Sequence, residues 1–111
     1  MKDFTDDEMN AMLPTVRPSS VVILKAGPQF GTDGSERIIW EHGRRNFGLR
    51  DHGVMPIVLP VADGSEVCGV CVFNATGEDV TAIMSDDPGV RAGVFTFEVH
   101  PCGGFPGDCL P

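Results

Sequence analysis

Val54-Met55-Pro56-Ile57-Val58-Leu59-Pro60-Val61, then Ala62-Asp63-Gly64-Ser65-Glu66, then Val67-Cys68-Gly69-Val70-Cys71-Val72-Phe73 is the stretch on which the fold turns. Two apolar, β-branched runs around a short polar turn built on Asp63-Gly64-Ser65 read as an antiparallel hairpin. Pro56 has no N–H to give a ladder, so the first run belongs at a sheet edge or a bulge. Side chains alternate along a strand, so Val67, Gly69, Cys71 and Phe73 share one face of the second run. Cys68, Val70 and Val72 share the other. Both faces are apolar, and both therefore need cover.

Before the hairpin, Val21-Val22-Ile23-Leu24 is an apolar run stopped by Gly27-Pro28, a first strand whose lack of alternation also predicts burial on both faces. A Gly-rich loop over 27–35 follows, with Asp33 as N-cap and Glu36 completing a capping box. The helix from Glu36 to Asp51 carries Ile38, Ile39, His42, Arg45, Asn46 and Leu49 near one stripe. Gly53 ends it with the positive φ expected just past a helix C-terminus. After the hairpin, Thr76 caps a second helix with Glu78 and Asp79 in its first turn. Val80, Ile83 and Met84 form its buried stripe, and Pro88 stops it. Val94 to Val99 is the last strand, closed by His100-Pro101.

Two βα units flanking a hairpin give an α+β chain in the order βαββαβ, with a four-stranded antiparallel sheet and both helices on one face, a ferredoxin-like arrangement. The helices leave the second sheet face bare. A second copy of the chain is the simplest cover, which predicts a homodimer. Residues 5–13 form an extra N-terminal helix, with Thr5 and Glu8 as its capping box and Met9, Met12 and Leu13 on one face. Domain organisation follows: a helical extension over 1–19, packed as an appendage, an α+β domain over 20–100, and an irregular tail rich in Gly, Pro and Cys over 101–111.

Sixteen acidic against eight basic side chains give a formal charge of −8, which repels phosphate backbones and anionic lipid and argues against nucleic-acid or membrane-surface roles. No apolar run is long enough to span a bilayer. Lys2, Asp3, Asp6, Asp7 and Glu8 at the start lack a secretory pattern, so a cytoplasmic setting is expected. In that setting the four cysteines are expected as thiols. Cys68 and Cys71 form a CxxC, but on a strand they point to opposite faces and share neither a metal nor a bond. Cys102, Cys109 and His100 read as plain residues of the tail and strand end rather than as a zinc site. No metal and no cofactor are expected.

The block Asp87-Pro88-Gly89-Val90-Arg91-Ala92-Gly93-Val94-Phe95, with a His on the first main helix and a strand–turn–strand between, resembles the YCII-related family over residues 20 to 100. Leu59-Pro60 departs from the Gly-Pro usual there. The resemblance implies a dimeric α+β barrel and an acid–base dyad at His42 and Asp87.

The residues are compatible with that dyad. An imidazole on the sheet-facing stripe must find a partner. A carboxylate at the rim of the same sheet, where the second helix gives way to a strand, can hold it in one tautomer. Arg45, on the His42 face, and Arg91, close after Asp87, are the candidate contacts to a small-molecule ligand, the alternative being salt bridges with the abundant acids. The reading reached is a small cofactor-independent acid–base enzyme of lyase, isomerase or dehalogenase type, acting on a small organic acid or aromatic ring. The alternatives are a metabolite-binding or regulatory module and an accessory interaction protein docking through its tail.

Overall fold

A β-branched apolar run favours extended backbone. In the computed structural model, which describes residues 1–111, strand β1 is built around that run and spans Arg17–Ala26. It is followed by helix α2 over Ser35–Asp51, after a short N-terminal helix α1 at Asp6–Met12. The hairpin is β2, Ile57–Pro60, and β3, Val67–Phe73; helices α3, Gly77–Ser85, and α4, Pro88–Arg91, lead into β4, Phe95–Gly104. The sheet order is β2-β3-β1-β4 with every neighbour antiparallel. That is the ferredoxin-like α+β fold, and Pro56 precedes an edge strand as its missing N–H requires.

Alternation sorts the sheet into two faces. Val22 and Leu24 of β1, Cys71 and Phe73 of β3 and Phe95 of β4 are buried together with Val80 and Met84 of α3, while Ile38, Ile39 and Leu49 of α2 pack against them. Each large apolar side chain so buried stabilises the fold by roughly 1.5–3 kcal/mol. The opposite face presents Val21, Ile23, Ile57, Val70 and Val72, all only half-buried, and the exposed Leu59. No helix is long and apolar enough to cross a membrane.

Several boundaries differ from the sequence reading for local reasons. β1 begins at Arg17, not at Val21, and β4 runs past His100-Pro101 to Gly104, because Arg17 to Ser20 pair with Gly104 to Pro101 in a two-stranded ribbon. Pro18 fits there because β3 ends opposite Ser20 and leaves that side of β1 unpaired. β2 starts only after Pro56, although Met55 before it is fully buried. The N-cap of α2 is Gly34, with φ 84° and no side-chain cap, in place of Asp33. Gly53 does take a positive φ of 83° just beyond α2. Thr76 caps α3 by accepting from the Asp79 N–H at 3.4 Å.

Helix α1 is capped by Thr5, whose Oγ accepts from the Glu8 N–H at 3.2 Å. None of its residues is buried. Its apolar side, with Phe4, Met9, Met12 and Leu13, shares a small groove with Phe105 of the C-terminal tail. The expected appendage packed on the domain is instead an arm carried by the β1–β4 ribbon, and the chain measures 57 × 28 × 21 Å.

Candidate active site

Pro88 does not merely stop α3; it opens α4. A proline is well tolerated at the first helical position, where its missing N–H has no partner to lose. Asp87 then becomes an N-cap: its Oδ2 accepts from the Gly89 N–H at 2.9 Å and the Val90 N–H at 3.2 Å. Asp87 therefore sits at the start of a short helix, rather than at a helix-to-strand boundary. The side chain is fully buried.

Across from it, α2 turns His42 inward to 8% exposure. Nδ1 lies 2.9 Å from both Asp87 carboxylate oxygens. A carboxylate only accepts, so Nδ1 carries the proton and Nε2 holds the lone pair. Asn46, one helical turn further along α2, donates from Nδ2 to Nε2 at 3.1 Å. The Phe95 ring packs on the imidazole at 4.7 Å between centroids. Gly89 has no side chain because a Cβ there would fall 2.5 Å from the Phe95 ring and 3.0 Å from Asp87 Oδ2.

Charge follows from these contacts. Burial pushes the Asp87 carboxyl up, but the hydrogen bond and charge of His42 and the amides of Val90 and Gly89 outweigh it and hold the group below its ordinary value. Arg45 stands near the same carboxylate. Its Nη1 is 3.8 Å from Asp87 Oδ1 and its Nη2 donates to the Ile83 carbonyl at 2.8 Å.

A cavity of about 270 Å³ opens beside the imidazole, walled by Leu24, Ile39, Val58, Met84 and Phe95, with Phe47 at its rim. His42 and Asn46 supply the only side-chain nitrogen or oxygen atoms on its lining. Cys71 also borders it; burial first, and then the charge of Asp87, push that thiol up to about 11. Cys68 borders it too: Leu24 pairs with Gly69 and Lys25 with Val67, so Cys68 is the extra residue of a bulge. All four cysteines are free thiols.

The structure thus brings together His42 and Asp87 and sets Arg45 near the carboxylate. Arg91 is turned outward, paired with Asp86 at 3.3 Å and absent from the cavity wall. Asn46 was legible as one residue of the α2 stripe, but not as the partner of Nε2. Its spacing of four from His42 was the signal, since such residues are neighbours on a helix. His52 and His100 are exposed, and His100 meets Glu98 at 3.1 Å.

No family model matches the chain, and no curated protein matches it. Among solved structures the fold is similar to that of 5-chloro-2-hydroxyhydroquinone dehydrochlorinase from Burkholderia phenoliruptrix AC1100, in complex with 2,5-dihydroxybenzoquinone. The two share 15% sequence identity with a TM-score of 0.50, over 74% of this chain and 90% of that one.

Proposed function

We propose that this chain is a cofactor-independent acid–base enzyme of the YCII-related family, acting on a small hydroxylated aromatic ring. The observation that carries the reading is a buried imidazole fixed through Nδ1 by a doubly capped carboxylate, with Nε2 beside an otherwise apolar cavity. The dehydrochlorinase with a similar fold acts on a ring of that kind, and a cavity of about 270 Å³ suits one ring in size. Walls without a lysine or arginine favour a neutral phenol over an organic acid.

In this reading Nε2 takes a hydroxyl proton, leaving the electron pair on the ring oxygen. The imidazolium then returns that proton to a ring carbon bearing a leaving group. Loss of the leaving group with its bonding pair, as a second hydroxyl gives up its proton, releases one acid HX per ring. Asp87 stabilises the imidazolium, and Arg45, bonded to the Ile83 carbonyl and absent from the cavity wall, does not touch the ligand. Arg91 takes no part.

The test is turnover of a chlorinated hydroxyhydroquinone, followed by chloride release. His42→Gln and Asp87→Asn should each lower kcat by about 10²–10⁴-fold with a much smaller change in KM. Parent-like kinetics in His42→Gln would exclude the mechanism. One observation favours a second reading, a metabolite-binding module: both ring nitrogens of His42 are already hydrogen-bonded within the protein. Tight ring binding without chloride release would support that module.

A further inference from the structure

We propose that Asn46 is a positioning residue for His42, whose side-chain amide meets Nε2 in both protonation states by turning over. The direction of proton transfer rests on the enzymatic reading above; the contact between the two side chains does not.

Asp87 occupies Nδ1 through both oxygens, so every proton gained or lost passes through Nε2. That atom faces Asn46 Nδ2 at 3.1 Å. A neutral ring offers Nε2 as an acceptor, which the amide N–H satisfies. A protonated ring offers Nε2–H, a donor, and then only the amide oxygen will serve. A half-turn about the last side-chain bond of Asn46 exchanges the two, and no charge or electron moves with it. An Asp at 46 would satisfy the protonated ring alone, and a hydrocarbon would satisfy neither.

The surroundings leave this task to no other group. Around the imidazole, α4 contributes the Asp87 carboxylate and α2 contributes Arg45, which lies 3.8 Å from that carboxylate. β3 contributes the thiols of Cys68 and Cys71, while β1, β2, β4 and α3 present Leu24, Val58, Phe95 and Met84. With His42 and Asn46 holding the only oxygen or nitrogen side-chain atoms on the wall, a ligand hydroxyl that reaches Nε2 must displace the Asn46 amide or share it. Asn46 thereby satisfies the Nε2 lone pair until a ligand replaces it.

The experiment is an NMR titration of the imidazole and of the Asn46 side-chain amide, in the full-length protein and in Asn46→Asp, with Arg44→Gln as a control on the exposed side of α2. In the parent protein, the amide signals of Asn46 should shift with the same midpoint as the His42 ring, which needs no variant. In Asn46→Asp the ring midpoint should rise by at least one pH unit, a tenfold gain in proton affinity, and Arg44→Gln should leave it unchanged. Amide signals that ignore the ring titration, or an Asn46→Asp midpoint equal to the parent's, would overturn the role of Asn46 while leaving the dyad intact. A neutral ring protonated on Nε2 rather than Nδ1 would overturn both.

Discussion

At His42 two requirements that usually conflict are met at once: a polar ring is buried, and one of its nitrogens still faces a cavity. Asp87 reconciles them, because it is itself held by the Gly89 and Val90 amides at the mouth of α4. A buried group with fixed partners changes stability when a partner is removed. Because the Asp87 carboxyl titrates below its ordinary value when folded, its contribution is present at neutral pH. It is lost as pH falls through the carboxylate range near about 3.9 and below. Asp87→Asn should therefore destabilise the protein at pH 7 by about 1–3 kcal/mol. Urea unfolding should show that gap closing towards pH 3, whereas a gap that widens on acidification would reverse the assignment.

The elements position these residues through their ends more than through their middles. Thr76 starts α3 by capping the Asp79 amide, and α3 supplies Met84 to the cavity wall and the Ile83 carbonyl that holds Arg45. Thr76→Ala should cost about 1 kcal/mol in thermal or urea unfolding; an unchanged Tm would mean that packing alone fixes α3. This cap was legible in the sequence, as were Gly53 and the edge character of β2, because each follows from one residue type in one backbone geometry. The reach of β1 and β4 was not, since the ribbon from Arg17 to Ser20 with Pro101 to Gly104 depends on pairing across most of the chain. Helix α4 was missed for a related reason: Asp-Pro reads equally as a stop and as a start, and only the packed site chooses. His42 and Asp87 could be named from the sequence, but the outward turn of Arg91 and the bond from Arg45 to the Ile83 carbonyl are tertiary facts.

Across the whole molecule, one sheet face is closed by helices and the other keeps Val21, Ile23, Val70 and Val72 half-buried beside Ile57 and Leu59. An apolar face of this kind favours a partner, and we propose a second copy of the chain. Sedimentation velocity should then find a dimer, and Val72→Asp, a charge at the middle of that face, should yield a folded monomer. A monomeric parent protein would remove the proposal without touching the site. The site itself is tested most directly by a crystal structure with 2,5-dihydroxybenzoquinone bound at neutral pH. The ring is expected beside Phe95, with one oxygen about 2.6–3.2 Å from His42 Nε2 and the Asn46 amide displaced or shared. A ring bound elsewhere, with His42 still closed between Asp87 and Asn46, would contradict the assignment of this cavity as the place where protons move.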